Sequence, residues 1–227
     1  MPLPTLNIKP PSAAGQLLYE EQPTFDADSI RMAIIARVNY FVGKDEGALE
    51  KCLAQGLIYG KAQWWANALD EMIDALAYVD AASRAGSGCT VIDGDTHACI
   101  LHNLATCCHH LGYFEAADSY YEQARTGMAV APPAHPLFQC MPFLDPRPKQ
   151  LEFMQHRADE CKKRQMPDAR EYFAGDGGTR LWTPGEIAAA VVQAKELEGE
   201  EKKSPALKLV SQPKVYAVGS TPRQQLW

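Results

Sequence analysis

The stretch Ala98 to Ala124, ACILHNLATCCHHLGYFEAADSYYEQA, decides the fold of this 227-residue chain. Apolar residues recur at helical spacing on both sides of Leu111-Gly112, which predicts two antiparallel helices joined by a tight turn. Small residues lie where two backbones must approach closely, and large residues lie where the gaps must be filled. The small residues are Ala105, Gly112, Ala117 and Ala124, and the large ones are Leu101, Leu104, Leu111, Phe114 and Tyr121.

These positions carry a resemblance to the tetratricopeptide repeat. The pattern W-x2-L-G-x2-Y…A-x3-F is met by Leu101, Leu104, Ala105, Cys108, Ala117 and Tyr121. Leu stands in the place of Trp, and small residues stand in the places of Gly and Tyr. The resemblance covers this hairpin of 27 residues. It implies an all-α fold of stacked helical hairpins, with a peptide-binding groove on the first helices of the hairpins.

A fainter copy of the pattern precedes this hairpin. Three residues have the expected types, namely Gly56, Tyr59 and Ala68, whereas Cys52 and Gln55 do not. Equivalent residues of the two copies lie 49 positions apart, which is the 34-residue period plus an insertion of 15 residues. The segment 83–97 has the Gly-, Ser- and Asp-rich composition of such an insertion.

We expect an all-α protein with four regions along the chain. They are an extended N-terminal arm (1–27), a tetratricopeptide-like helical domain (28–166), a loop plus a C-terminal helix (167–200), and an extended basic C-terminal arm (201–227). Helices are predicted over Ser29–Val42 with Asp28 as its cap, Glu46–Lys61, Trp64–Ser83, Pro146–Gln165, and from the capping box at Thr183 to Leu197. Five prolines among the first 26 residues predict an irregular N-terminal arm.

Composition excludes several classes of protein. No run of eighteen apolar residues is present, so we expect no membrane span, and the first residues lack the features of a secretory signal. The formal net charge of -6 argues against a dedicated nucleic-acid binder. Seven cysteines without regular spacing indicate reduced thiols in a cytosolic-type compartment.

The resemblance assigns a stripe of side chains to the groove, half of it apolar and half histidine-rich. On the first copy this stripe holds Leu53, Leu57 and Lys61. On the second copy it holds Cys99, His102, Asn103, Thr106, His109 and His110. We predict that these nine residues bind an extended segment of a partner protein. The alternative is that solvent or the chain's own arm covers them.

We expect no metal, no cofactor and no catalytic site. The run Cys107-Cys108-His109-His110 cannot converge on one ion, because consecutive helical residues point about 100° apart. His102, Thr106 and one of the two histidines could converge, but structural zinc requires ligands from a second element as well. The glycine-rich turn 175–178 follows no strand and precedes no Gly-Lys-Ser/Thr, so it does not predict a phosphate site.

The interpretation that we favour is a non-catalytic scaffold built into a larger complex. Stacked repeats need about three copies for stability, and with two copies visible, flanking helices, arms or another molecule must supply the remaining burial. A small helical domain with long arms resembles accessory proteins of motile-cilium axonemes, including those that line doublet microtubules. The acid-free tail from Lys202 onward suits an acidic surface such as tubulin. We therefore expect a cytoplasmic location, in the cytoskeleton or a cilium, with protein partners and without nucleic acid or membrane.

The alternative is a free-standing, soluble adaptor or co-chaperone that captures a short peptide in the groove. The carboxylate clamp of such co-chaperones is matched at Asn103 only, and Leu53 and Leu57 stand where the clamp has a lysine and an asparagine. Ser204-Pro205 and Thr221-Pro222 fit proline-directed kinases, a dipeptide signal that is common.

Overall fold

The computed structural model describes residues 26–85, 94–130, 147–168, 170, 173 and 181–203. Within these ranges the chain forms seven α-helices and no strand, which confirms the expected all-α fold. The helices are α1 (Ala27–Phe41), α2 (Glu46–Lys61), α3 (Trp65–Ala85), α4 (Gly94–His110), α5 (Phe114–Val130), α6 (Arg147–Lys162) and α7 (Pro184–Lys203). No helix in the described part of the chain is both long and apolar enough to cross a bilayer.

Helix starts follow their local capping signals. Helix α2 has its predicted ends, but α1 begins two residues early, because Asp26 rather than Asp28 caps it. The Asp26 carboxylate accepts a hydrogen bond from the Ser29 backbone N–H at 2.8 Å. Helix α4 begins at Gly94, so the last residues of the predicted insertion are helical.

The start of α7 confirms the predicted capping box. The Thr183 N–H donates to the Glu186 carboxylate at 2.8 Å, and the Glu186 N–H donates to Thr183 Oγ1 at 3.3 Å. The helix continues to Lys203, so the first three residues of the predicted C-terminal arm are helical. The remainder of that arm and residues 1–25 lie outside the described residues.

Two helical hairpins, α2–α3 and α4–α5, form the centre of the fold and pack on each other through α3 and α4. The second hairpin turns at Leu111 to Tyr113, as predicted, where Gly112 has a φ of +79°. Ala105 and Ala117 are fully buried, which lets α4 and α5 pack closely.

Three further helices surround this centre. Helix α1 packs on α3, and Arg37 of α1 binds the Asp74 carboxylate at 2.8 Å and also pairs with Asp70. Helix α6 packs on α5 through buried Met154 and Ala158. Helix α7 packs on α2, so residues far apart in sequence meet on the first hairpin.

Candidate partner-binding face

The predicted partner-binding residues of α4 form an interior surface. His102, Asn103, Thr106 and His109 are buried, and His110 is half-buried. We call these five residues the α4 stripe. In the described structure Phe153 of α6 and Gln165 after it lie against these side chains, so the α4 stripe is not an open groove, and its role in partner binding stays a prediction.

His102 packs into an aromatic environment supplied by α5 and α6. Its ring centroid lies 5.5 Å from that of Tyr121 and 5.9 Å from that of Phe153. Thr106 Oγ1 donates to the His102 carbonyl at 3.0 Å and accepts from the Tyr121 hydroxyl at 3.3 Å. Burial, reinforced by nearby Arg157, lowers the pKa of His102 to about 3. His102 is therefore neutral and acts as a packing residue.

His109 binds the chain's own backbone. Its Nε2 lies 2.6 Å from the carbonyl oxygen of Gln165, 56 positions further along the chain. A carbonyl oxygen can only accept, so Nε2 carries the proton and donates. The ring also lies edge-on to Phe114 and Tyr121, each at a centroid distance of 5.9 Å. Burial lowers the pKa of His109, which favours this neutral tautomer.

A group of stacked rings joins the C-terminal segment to the ends of α2, α3 and α4. Trp65 stacks on His110 with centroids 3.7 Å apart and on Trp182 with centroids 6.0 Å apart. Phe173 lies edge-on to Trp65 at 5.8 Å. Phe173 and Trp182 are both buried. We call Trp65, His110, Phe173 and Trp182 the aromatic cluster.

Gly60 of α2 makes room for the aromatic cluster. A Cβ atom added at Gly60 would lie 2.5 Å from Cε2 of Phe173, a distance that real Cβ contacts do not show. Glycine at this position therefore allows Phe173 to lie directly against the helix backbone.

His110 of the aromatic cluster is neutral. Burial is the largest cause, followed by the nearby His109 and Arg157, and together they lower the pKa of His110 to about 3. The ring that stacks on Trp65 is thus uncharged.

The α2 part of the predicted groove is more open than the α4 part. Leu53, Leu57 and Lys61 are half-buried, and the two leucines pack against the core. Helix α7 packs on α2, and its Ala190 and Ala194 are buried. Both halves of the predicted groove therefore lie next to segments that follow α6 in the chain.

The described cysteines are poorly suited to nucleophilic chemistry. Burial raises the pKa of Cys52 and of Cys161 to about 12, and it raises the pKa of Cys107 and Cys108 as well. These thiols stay protonated at neutral pH, and the thiolate is the reactive form. Cys99 is disulfide-bonded, so the expectation of reduced thiols does not hold at this position.

One group of potential metal ligands lies within the described ranges, away from the α4 stripe. Donor atoms of Cys52, Glu71 and Asp74 lie within 4.8 Å of one another. Asp74 is already paired with Arg37 at 2.8 Å, so a cation bound by this group would have to displace that ion pair.

Phe173 and Trp182 are the site residues that the sequence interpretation missed. They flank the glycine-rich segment that was interpreted as a loop. Two large aromatic residues in a short, glycine-rich connection are a signal of burial, because exposing both would leave a large apolar surface in water. That signal identifies the residues that become buried but not the surface that buries them.

Comparison of the chain with protein-family models, curated proteins and solved structures yields no match.

Proposed function

We propose that this protein is a non-catalytic, tetratricopeptide-like scaffold that is built into a larger protein complex. The observation that carries the proposal is the covered α4 stripe: His109 binds the Gln165 carbonyl at 2.6 Å, in a position where an adaptor would bind its ligand. A protein whose groove is occupied by its own chain must present other surfaces to its partners. This assignment favours an assembly component over a peptide adaptor.

The packing of the hairpins supports the tetratricopeptide-like part of the proposal. In repeat proteins of this kind, small residues allow the two helices of each hairpin to approach closely. Gly56 is buried, and a Cβ added there would overlap the end of the Met72 side chain of α3. Ala105 and Ala117 have the same role between α4 and α5. Helix α6 packs on α5 beside the second hairpin.

The adaptor alternative requires the covering segment to leave. A peptide could reach the α4 stripe only if Gln165 released His109 and the aromatic cluster opened. That opening would expose Phe173 and Trp182, both buried, and fully burying one large apolar side chain stabilises a fold by about 1.5–3 kcal/mol. A co-chaperone with a carboxylate clamp has even less support. Asn103 is buried, and the apolar side chains of Leu53 and Leu57 provide no cation for a carboxylate.

A cytoplasmic microtubule lattice, such as the axoneme of a motile cilium, is the assembly that we propose. The support is fold-level analogy together with charge, since the residues from 202 to 227 include five Lys or Arg and no acidic residue. Such a segment is attracted to an acidic surface, and the attraction falls as salt screens it. Microtubule co-sedimentation in low and high salt, with and without residues 204–227, tests this point. Co-sedimentation that changes neither with the salt concentration nor with the truncation would contradict the proposed electrostatic attraction to microtubules.

Cross-linking mass spectrometry of the tagged full chain in native extract tests the wider proposal. We expect the protein to migrate with a large assembly and to form cross-links to several neighbours through more than one surface. A free adaptor would instead migrate near its own mass, with cross-links to exchangeable ligands. Migration as a small, free species would overturn the proposal.

A further inference from the structure

Helices α2 and α3 bring a thiol and two carboxylates together in the first hairpin. Cys52 lies on α2, and Glu71 and Asp74 lie on one face of α3, because they are three positions apart. Their donor atoms all lie within 4.8 Å of one another. We call these three residues the Cys52 group. Unlike the run of cysteines and histidines in α4, the group takes its donors from two helices, as a structural zinc site does.

The close packing of α2 on α3 explains why these donors meet. Gly56 lies one turn after Cys52, and a Cβ atom added there would lie 3.4 Å from Cβ of Glu71 and would overlap the end of Met72. The missing side chain therefore lets α3 approach α2 at this level. Donors bound to one tetrahedral zinc ion lie about 3.5 Å apart, so side-chain movements of about 1 Å bring the three donors into range.

Burial is uneven across the Cys52 group. Cys52 is 7% exposed, whereas Glu71 and Asp74 are half-buried. The thiol therefore lies at the inner end of the group, and the two carboxylates border an outer end that water and ions can reach. Three protein ligands with one open position can hold zinc together with a water molecule as the fourth ligand.

The charges around the Cys52 group suit a divalent cation. Three carboxylates and two cations form the group and its charged neighbours, namely Asp70, Glu71, Asp74, Arg37 and Lys51. With the thiol ionised, four negative charges face two positive ones, and one divalent cation balances them. When a cation displaces Arg37 from Asp74, Arg37 keeps its ion pair with Asp70 and its hydrogen bond to the Asp70 carbonyl at 3.2 Å.

We propose that the Cys52 group binds one zinc ion and thereby joins α2 to α3. A thiolate with two carboxylates suits zinc, whereas magnesium and calcium take oxygen ligands. As the bond between zinc and Cys52 Sγ forms, the S–H bond breaks and the proton passes to the solvent. The inference goes beyond the proposed assembly role and does not depend on it, because the purified chain tests one and native extract tests the other.

The proton on the Cys52 thiol determines the affinity. Burial, followed by the nearby Glu71 and Asp74, raises the pKa of Cys52 to about 12. Zinc therefore replaces one proton at neutral pH, so binding should strengthen about tenfold for each unit by which the pH rises. We expect a dissociation constant in the micromolar range at neutral pH, because this proton competes with the ion.

Competition titration of the metal-free, purified full chain with zinc and a chromophoric chelator is the first test. We expect one zinc ion per chain, and we expect Cys52→Ser to weaken binding at least about tenfold. Cys161→Ser is the matched control, since Cys161 is a buried free cysteine of α6 and its loss should leave the affinity unchanged. Absence of binding up to about 1 mM zinc, or equal affinities of the two variants, would overturn the proposal.

Glu71→Gln decides the question if Cys52→Ser does not fold. This change removes one carboxylate ligand and leaves the shape of the side chain nearly unchanged. It should weaken zinc binding at least about tenfold, whereas Glu50→Gln, at an exposed position of α2, should not. Similar affinities of these two variants would mean that zinc binds elsewhere on the chain, which overturns the proposal.

Cobalt(II) in place of zinc identifies the sulfur ligand. A thiolate bound to cobalt absorbs in the near ultraviolet by charge transfer from sulfur to metal, and a carboxylate does not. We expect this band in the full chain and in Cys161→Ser, and we expect Cys52→Ser to lack it. A band that persists in Cys52→Ser would assign the ion to another cysteine and would overturn the proposal.

Discussion

The α4 stripe carries three histidines, an asparagine and a threonine and lies inside the protein, whereas the outer face of α1, formed by Met32, Ile35, Tyr40 and Val42, lies in solvent. Side-chain polarity alone would place these two surfaces the other way round. The difference between them is the chain that follows. Gln165 returns to the α4 stripe and binds His109, and Phe173 and Trp182 pack on Trp65, which stacks on His110, while no described segment returns to α1's outer face.

This comparison shows how a polar surface can become interior. Burying a polar group costs free energy unless the group is hydrogen-bonded, and burying a charge costs much more. At the α4 stripe one ring nitrogen of each histidine is buried without a hydrogen-bond partner, so the absence of charge matters most. His109 donates to the Gln165 carbonyl, Thr106 binds the His102 carbonyl, and burial lowers the pKa of all three histidines. The interior can accept these side chains because they carry no charge.

Acidification is expected to have the largest effect on the free energy of unfolding, through the buried histidines of the α4 stripe. The pKa of His102 and of His110 is about 3 in the folded chain, against 6.5 for an ordinary histidine. Below pH 6.5 the unfolded chain binds protons that the folded chain does not, so stability is complete above that pH and falls as pH drops towards 3. Each histidine should contribute a slope of about 1.4 kcal/mol per pH unit, or together about 4 kcal/mol between pH 7 and pH 5.

Urea unfolding at several pH values measures this loss of stability, and variants show which histidine causes it. His102→Gln should reduce the slope of unfolding free energy against pH by about 1.4 kcal/mol per unit. His156→Gln is the matched control, because the His156 side chain is 66% exposed. Equal slopes for the two variants would contradict the burial of His102.

Trp182→Ala should give the next largest effect. Removing a buried Trp from a packed cluster destabilises a fold by about 3–5 kcal/mol. Leu181→Ala, at the exposed neighbouring position, should change the unfolding free energy by less than about 1 kcal/mol. Urea denaturation compares the two variants, and similar losses in both would mean that the C-terminal segment is not seated on the hairpins.

Gly60→Ala should loosen the packing of the C-terminal segment on α2 and should lower the free energy of unfolding by less than Trp182→Ala does. Overpacking of this kind destabilises by about 1–3 kcal/mol, here because the new methyl group would collide with the Phe173 ring. Gly199→Ala in α7, where an added Cβ meets nothing within 4 Å, should be neutral or slightly stabilising. Faster amide exchange in residues 181–203 of the Gly60→Ala variant would locate the effect, and no difference between the two variants would contradict it.

The last comparison is between two neighbouring isoleucines of α1. Substitution of Ile35 should change the free energy of unfolding least, whereas substitution of Ile34 should lower it clearly. Ile34 lies on the inner face and Ile35 on the outer face. In dilute solution Ile34→Ala should cost about 2–5 kcal/mol, whereas Ile35→Ala should change stability by about 0.5 kcal/mol or less. Thermal unfolding compares them. A large loss for Ile35→Ala in the monomer would mean that another part of the chain covers the outer face.

Local signals predicted much of the fold. The ends of α2, the turn at Gly112 and the capping box at Thr183 depend on residues within one or two helical turns, and the structure confirms all three. Asp26 displaced Asp28 as the cap of α1, because both offer a carboxylate and geometry decides between them. The resemblance to the tetratricopeptide repeat stays a prediction.

The candidate site could not be predicted in the same way. The contacts that cover the α4 stripe join residues far apart in sequence, such as His109 and Gln165, which are 56 positions apart. Helical periodicity identifies the face of a helix but not the segment that packs on it.

The contact between Gly60 and Phe173 tests most directly whether the chain's own C-terminal segment packs on the hairpins, because Phe173 reaches Gly60 only when that segment lies against α2. Nuclear Overhauser spectroscopy of the isotopically labelled, purified chain detects protons that lie close in space, and a Cβ atom added at Gly60 would lie 2.5 Å from Cε2 of Phe173. We predict a cross-peak between them in the absence of any partner. A missing cross-peak, together with rapid exchange of the Gly60 amide, would contradict the account and favour the alternative of an adaptor with an open groove.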